Sequence, residues 1–263
     1  MRDVQSQKDN RNIDIQKVGV KDVETPLTIT RKLKNGKTDS QTVFAKAKMS
    51  VSLPSHFKGT HMSRFVEILN DYRRKNLVGV DIHAMLEEIR EKLESNSAYL
   101  KFDFKYFIKK TAPVSELSSL MSYDCFFEGL LDDEGYKFYL GAKVPVTTLC
   151  PCSKEISEAG AHNQRAIVKV KASYPKGEHI WLEDLIADVE KCASSEVYSL
   201  LKREDEKYVT EAAFNNPKFV EDVLRDVVLK LKSNPIINSY EVEIEAFESI
   251  HNHSAWAYQK GGK

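Results

Sequence analysis

The chain has 263 residues, of which 41% are hydrophobic and 30% charged, a composition typical of a folded globular protein. Thirty-nine basic residues balance thirty-nine acidic ones, which disfavours a nucleic-acid binder, because such proteins usually carry excess positive charge. The sequence contains no run of 18 apolar residues, and its first residues lack the apolar core of a signal peptide. We therefore expect a cytoplasmic protein without nucleic-acid or membrane partners.

The hydrophobic pattern predicts an N-terminal arm over residues 1–25 and then a unit of two strands, two helices and two strands over residues 26–131. Asn35-Gly36 is a strong hairpin signal between PLTITRKL and an alternating segment that ends at Leu53. SYDCFFEGLL is predicted to be the last strand of this unit. The two helices and the strand before SYDCFFEGLL are predicted from apolar spacing at Phe65, Ile68, Leu69 and Tyr72, at Ile82, Met85, Leu86, Ile89 and Leu93, and at Leu100, Phe102, Phe104, Tyr106 and Ile108.

The same order is predicted to repeat over residues 132–263. A turn at 132–135 precedes the strands YKFYLGAKVPV and RAIVKVKASY. Asn216-Pro217 predicts the cap and first turn of a helix that stops before Pro235. The segment SYEVEIEAFESIHNH predicts a final strand with His251 and His253 on its polar face. A helix before Asn216 and the apolar face of the final strand are predicted from Leu182, Leu185, Ile186 and Val189, and from Tyr240, Val242, Ile244 and Ala246.

The predicted fold class is therefore α+β, with two tandem ββααββ units. Each unit is expected to form an antiparallel sheet that carries its helices on one face. Long strands at the edges of such sheets favour closure into barrels when several chains associate.

Four cysteines are too few for a scaffold built on disulfides. Cys125 and Cys192 lie among apolar residues and are predicted to be buried thiols. Cys150 and Cys152 are separated by one residue, and His162 follows ten residues after the second. Thiolate and imidazole are ligands that suit Zn²⁺ and Fe²⁺, and a closed four-cysteine site is excluded. The spacing leaves an open, catalytic metal site and a pair of free surface thiols as alternatives.

Three more segments carry carboxylates or imidazoles that suit a binding site. The polar segment LLKREDEKYVTEAAF contains Glu204 and Glu206, although its pattern also fits a solvated helix face. Glu221 lies early in the following predicted helix, where a carboxylate can face a pocket. His251 and His253 point to one side of the predicted strand, and the alternative for them is ordinary surface exposure.

The loop HFKGTHMSRF precedes the first predicted helix. Its hydroxyl, imidazole and guanidinium groups, including His61, form a set that can bind an anion at a helix N-terminus. The alternative is a simple helix start capped by Thr60 or Ser63. No Gly-rich phosphate loop with Lys-Ser or Lys-Thr is present, so a triphosphate would have to be held by dispersed groups.

Taken together, these segments resemble GTP cyclohydrolase IB, the second type of GTP cyclohydrolase I. The resemblance rests on LCPCSKEISEAGAHNQRA, LLKREDEKYVTEAAFNNPKFVEDVLRD, ESIHNH and KGTHMSRF, and it runs from about Asp3 to His253. It implies the tunnelling fold (T-fold) and a homotetramer with active sites at the subunit interfaces. It also implies GTP as substrate. The guanine imidazole ring is opened, C8 leaves as formate, and the product recloses as 7,8-dihydroneopterin triphosphate, the first step of tetrahydrofolate biosynthesis.

The resemblance further implies one divalent ion in each active site. It assigns Cys150, His162 and Glu206 as the metal ligands, and the stretch REDEK offers Glu204 as the alternative carboxylate. A thiolate, an imidazole and a carboxylate together accept Zn²⁺, Mn²⁺ or Fe²⁺.

The remaining assignments concern substrate and protons. Glu221 is implied to anchor the guanine edge, accepting from its ring N–H and its amino group. Cys152 and His251, together with Cys150, are implied as catalytic groups beside the metal. His61 is expected to bind substrate.

Three other functions are compatible with parts of this pattern. An archaeal type of GTP cyclohydrolase stops at a cyclic phosphate of dihydroneopterin. The nitrile reductase of queuosine synthesis shares the fold, but it needs neither a histidine nor a glutamate as metal ligand. A non-catalytic T-fold module that binds purine or metal would retain only part of the constellation.

Overall fold

The structure is a computed structural model that describes residues 5, 7–73, 76–77 and 79–263; for residues 76, 77, 79 and 80 it describes the backbone alone. Within this part of the chain the fold is α+β. The helices are α1 Met62–Tyr72, α2 Gly79–Lys92, α3 Pro151–Ile156, α4 Leu182–Glu190, α5 Arg203–Asn215 and α6 Val220–Ser233. The strands are β1 Ile15–Lys32, β2 Thr38–Leu53, β3 Asn76–Leu77, β4 Ala98–Thr111, β5 Ser118–Asp132, β6 Gly135–Leu149, β7 Asn163–Ser173, β8 Ser195–Glu196, β9 Ser239–Ala246 and β10 Ala255–Gly262.

The strands pair in the order β10-β9-β7-β6-β5-β4-β2-β1-β3, and β8 pairs with β6. The pairs β1–β2, β2–β4, β6–β8, β7–β9 and β9–β10 are antiparallel, whereas the short pair β1–β3 is parallel. None of the described helices is both long enough and apolar enough to cross a membrane.

The chain divides into two compact units. The first comprises residues 1–105, 126–139 and 175–179, and the second comprises 106–125, 140–174 and 180–263. The strands β4, β5 and β6 therefore contribute residues to both units. Cys125 and Cys192 are buried, as predicted, and burial raises the pKa of both thiols.

The first unit is built on the β1–β2 hairpin and the helices α1 and α2. Gly36 adopts a φ of 77° in the hairpin turn, and Leu33 N–H donates to the Lys37 carbonyl oxygen at 2.8 Å. The alternating residues of β2 are buried, and so are the apolar stripes of both helices. A Cβ atom at Gly129 of β5 would lie 2.7 Å from Ile82 of α2, so only glycine permits this close approach of helix and strand.

The second unit packs α4 and α6 with the strands β7, β9 and β10. Alternate residues of β7 and β9 are buried, as are the apolar stripes of α4 and α6. The prediction that Tyr240, Val242, Ile244 and Ala246 share one buried face is confirmed.

Four sequence predictions differ from the structure. Strand β1 begins at Ile15, inside the segment 1–25 that was predicted to be an arm. Its first residues are largely exposed and are held by pairing with β2, so they give little hydrophobic signal. Helix α6 begins at Val220, not at Pro217, because the Asp222 side chain accepts from Phe219 N–H at 3.1 Å and fixes the helix start there.

The third difference is the end of β9. The strand stops at Ala246, so His251 and His253 lie in the loop that leads to β10 and not on a strand face. Their rings stack at 5.1 Å between centroids. The fourth difference concerns the alternative given for the loop KGTHMSRF, a helix start capped by Thr60 or Ser63. The N-cap residue of α1 is instead His61, and its side chain makes no capping hydrogen bond.

Candidate active site

The segment that contains the paired cysteines is folded back on itself around Ser153. Cys150 N–H donates to the His162 carbonyl oxygen at 3.1 Å. Ser153 N–H donates to Cys150 Sγ at 3.4 Å, and Ser153 Oγ donates to the Cys150 carbonyl oxygen at 3.1 Å while accepting from His162 N–H at 3.2 Å. Cys150 is half-buried and is the N-cap residue of α3, whereas Cys152 is exposed. The two predicted ligands Cys150 and His162 are thus joined through their backbones.

A second set of hydrogen bonds holds the His162 ring. Its Nδ1 lies 2.9 Å from Gln164 Oε1 and 3.8 Å from Glu248 Oε2. Gln164 Nε2 donates to Thr148 Oγ1 at 3.0 Å and to Glu248 Oε1 at 3.4 Å. The side chains of His162 and Glu248 are only 14% and 13% exposed. Engagement of Nδ1 leaves Nε2 as the ring nitrogen available to a ligand.

The start of α6 is tied to the strand that precedes Cys150. Lys218 N–H donates to the Leu149 carbonyl oxygen at 3.0 Å, and Lys218 Nζ donates to the Cys192 carbonyl oxygen at 2.8 Å. Asn216 Nδ2 donates to the Ala193 carbonyl oxygen at 2.9 Å. The polar residues of NNPKF, expected to start a helix, instead anchor the segment that leads into Glu221.

Helix α5 contacts the same region through α3. Lys154 Nζ donates to the Phe214 carbonyl oxygen at 2.5 Å and lies 4.3 Å from the centre of the Phe214 phenyl ring. Helix α5 also carries both candidate carboxylate ligands, Glu204 and Glu206, and both are exposed.

The buried carboxylate of α5 is Asp205, the residue between them. It accepts from Val114 N–H at 2.8 Å, Ser115 N–H at 2.9 Å, Ser115 Oγ at 2.6 Å and Lys202 N–H at 2.8 Å. Burial raises the pKa of this carboxyl, but the hydrogen bonds from Ser115, Lys202 and Val114 outweigh burial and lower the pKa well below its usual range. Asp205 therefore anchors the start of α5 through its buried side chain. Its neighbours Glu204 and Glu206 remain exposed.

The other predicted site residues of the second unit are at the surface. Glu221, in the first turn of α6, is exposed, and so is His251 in the loop after β9. Across the described ranges, no three side chains of His, Cys, Asp or Glu lie close enough together to hold a metal ion. Backbone hydrogen bonding places Cys150 next to His162. Glu206 does not form a three-ligand cluster with them in the described part of the chain.

The predicted anion-binding loop lies in the first unit, at the N-terminus of α1. Thr60, His61 and Arg64 line a cavity of about 60 Å³, together with residues of β2 and Glu94. Arg64 donates to the Lys92 carbonyl oxygen at 2.6 Å. Lys58 and Ser63, predicted for the same set, are exposed. The cavity is far smaller than the roughly 300–1,000 Å³ of a typical ligand pocket.

Sequence reasoning missed Ser153, Gln164 and Glu248 as parts of the site. Gln164 had a usable signal, because residues two apart at a strand start share one face and Gln164 lies two residues after His162. Glu248 is contained in the quoted motif ESIHNH, but its position depends on the pairing of β7 with β9. That register ends at Ala166 opposite Ala246, and Phe247 N–H donates to the Arg165 carbonyl oxygen at 2.9 Å, which brings Glu248 opposite Gln164.

Comparison with protein families identifies the family of this chain. The model of the family described as "Type I GTP cyclohydrolase folE2" matches residues 1–257. The chain belongs to the type I GTP cyclohydrolase FolE2 family. It is 55% identical to the GTP cyclohydrolase FolE2 of Syntrophotalea carbinolica, over 98% of this chain and 94% of that protein. The identity to the FolE2 proteins of Geotalea uraniireducens and Geobacter sulfurreducens is 55% and 51%, over 98% of this chain and 92% and 96% of theirs.

Solved structures show a related fold at much lower sequence identity. Uricase from Arthrobacter globiformis matches this FolE2-family chain with a TM-score of 0.54 at 7% identity, over 94% of this chain and 93% of that one. Urate oxidase from Bacillus sp. TB-90 matches with a TM-score of 0.53 at 9% identity, over 95% of this chain and 100% of that one. At such identities the likeness concerns the fold alone.

Proposed function

We propose that this chain is a metal-dependent GTP cyclohydrolase I of the cytoplasm. Its reaction opens the guanine imidazole ring of GTP, releases C8 as formate and forms 7,8-dihydroneopterin triphosphate, the first step of tetrahydrofolate biosynthesis. The observation that carries the proposal is the family match over residues 1–257, combined with the hydrogen bonds that join Cys150 to His162.

The donor chemistry of the second unit fits a divalent ion. Cys150 Sγ and His162 Nε2 are a soft and a borderline ligand on one short, cross-bonded segment, and they suit Zn²⁺, Mn²⁺ or Fe²⁺ when a carboxylate completes the set. We assign that carboxylate to Glu206, which α5 presents at the surface. When bound, the ion lowers the pKa of a coordinated water, so that hydroxide is available near neutral pH.

The protein side chains orient the base and move protons. Glu221 accepts from the guanine ring N–H and amino group, and its charge selects guanine over adenine, which offers no matching pair of donors. Cys152 and His251 are exposed and free to approach the imidazole ring of the base. Their role is to exchange protons with the ring nitrogens when the C8–N bonds break. His61, beside Arg64 at the α1 cavity, binds the phosphate end.

The active form is a homotetramer with the T-fold, in which tandem ββααββ units close barrels between subunits. Two features of a single chain support this assembly. The outer strand β10 carries Trp256 and Tyr258, which are 61% and 44% exposed and stack on each other. The cavity beside His61 is too small to hold a nucleotide by itself. A second subunit would therefore supply the remaining walls of the active site.

The test combines metal analysis and turnover on one anaerobic preparation. Cys150→Ala and His162→Ala should each lower bound metal and abolish conversion of GTP to a fluorescent pterin, because each removes one of three protein ligands. The control is Cys192→Ala, which removes a buried thiol that donates to the Asp188 carbonyl oxygen outside the site. Normal metal content and turnover in the Cys150 or the His162 variant would contradict the ligand assignment.

A further inference from the structure

Gln164 is a buried side chain to which the proposed chemistry assigns no role. It is 9% exposed and lies at the start of β7, two residues after His162. Its amide contacts His162 Nδ1 at 2.9 Å through Oε1, and Thr148 Oγ1 at 3.0 Å and Glu248 Oε1 at 3.4 Å through Nε2. One amide group therefore joins a proposed metal ligand to the half-buried carboxylate of Glu248.

The donor and acceptor requirements of this network allow one orientation of the amide. An ionised Glu248 carboxylate only accepts hydrogen bonds, so it requires the NH₂ end of Gln164. The carbonyl oxygen Oε1 must then face His162, and an oxygen accepts only from a protonated Nδ1. The reversed amide would place its oxygen against the Glu248 carboxylate. The network thus selects the His162 tautomer with hydrogen on Nδ1 and a lone pair on Nε2.

Resting on the function proposed above, we propose that Gln164 is the positioning residue of the metal site. It presents His162 Nε2 to the divalent ion and occupies Nδ1. It also donates to Glu248 Oε1. The other carboxylate oxygen, Oε2, then remains 3.8 Å from Nδ1, too far to form a hydrogen bond with the ring. Without Gln164, the Glu248 carboxylate, 3.8 Å from Nδ1, can accept the Nδ1 hydrogen, and we expect the ring to turn toward it.

The first test uses the metal-free wild-type protein. Nitrogen-15 NMR of the imidazole rings, assigned with His162→Ala, should show His162 as the Nδ1–H tautomer. Hydrogen on Nε2, or a mixture of tautomers, would overturn the proposal. This readout requires neither metal nor GTP.

The second test measures metal affinity by competition with a chromogenic chelator for Zn²⁺. Gln164→Leu should weaken Zn²⁺ binding by about 10- to 100-fold, the usual effect of removing a partner behind a ligating histidine. Gln164→Glu should weaken it as well, since two carboxylates then face each other. The exchanged pair Gln164→Glu with Glu248→Gln restores a donor opposite an acceptor and should recover affinity relative to the single Gln164→Glu variant.

The matched control is Ser173→Ala, at the other end of β7, where Ser173 Oγ lies 2.6 Å from Ser239 Oγ. It should leave Zn²⁺ affinity unchanged. Wild-type affinity in Gln164→Leu, or no recovery in the exchanged pair, would refute the positioning role. Absence of GTP turnover in a wild-type protein that passes both tests would overturn the proposed function and leave the role of Gln164 intact.

Discussion

Replacing Glu221 by Gln separates substrate recognition from stability. The Glu221 side chain is exposed in the first turn of α6, whereas the adjacent Asp222 accepts from Phe219 N–H at 3.1 Å and from Arg225 at 3.1 Å. The helix start therefore depends on Asp222. Glu221→Gln should remove only a favourable charge near the helix N-terminus, which corresponds to about 0.3–1 kcal/mol of unfolding free energy.

The expected effect on catalysis is larger. A carboxylate paired with the guanine edge makes two charge-assisted hydrogen bonds, each contributing about 1.5–3 kcal/mol. Gln turns one of the two acceptors into a donor that faces a donor. A loss of about 3 kcal/mol in transition-state binding lowers kcat/KM by on the order of a hundredfold.

The assay measures urea unfolding, metal content and GTP turnover on the same preparations of Glu221→Gln and Asp222→Ala. The Asp222 variant should show the opposite result, with about 0.5–1.5 kcal/mol lost in stability through the missing acceptor and kcat/KM nearly unchanged. Unchanged turnover in Glu221→Gln would show that Glu221 does not bind the base and is an ordinary solvated residue of the helix surface. Loss of metal together with activity would make it a metal ligand instead.

Three further outcomes are expected. Cys150→Ala should lose metal and turnover while its unfolding midpoint stays close to that of the wild type, because the site is not part of the core; a large stability loss would contradict this. Glu221→Ala and His61→Ala, each inactive alone, should restore some activity when mixed if each site draws on two subunits, and no restoration would place both residues in one subunit's site. The pKa of Asp205 is lowered by folding, so its contribution to stability is present above the unfolded value of about 4 and is lost as the pH falls toward the lower folded value. The stability deficit of Asp205→Asn should therefore be largest at pH 7 and shrink below about pH 4, whereas the exposed Glu204→Gln control should show little deficit at either pH.

The fold could be predicted where burial repeats with a regular period, and it could not where burial is slight. Strand β2 and helices α1, α4 and α6 each bury an apolar stripe, so their spacing is visible in the sequence. Helix α5 was predicted only as the alternative of a solvated helix face, because its buried residues are Asp205 and Ala213, which form no apolar stripe. Strand β10 was missed because its side chains, including Trp256, are largely exposed.

In the candidate site, residues that are close in the sequence could be predicted more readily than a contact between distant parts of the chain. Cys150 and His162 could be proposed from residue type and spacing within one segment. Ser153 and Gln164 are also local, but they act through hydrogen bonds that residue type alone does not predict. The contact with Glu248 depends on the pairing of β7 with β9, which joins residues 84 positions apart.

The central claim is tested most directly by the products formed from GTP labelled at C8. The metal-loaded protein should release the label as formate, one formate for each pterin, and mass spectrometry should find 7,8-dihydroneopterin that retains its triphosphate. A cyclic phosphate in place of the triphosphate, or no labelled formate from a metal-loaded tetramer, would contradict the account.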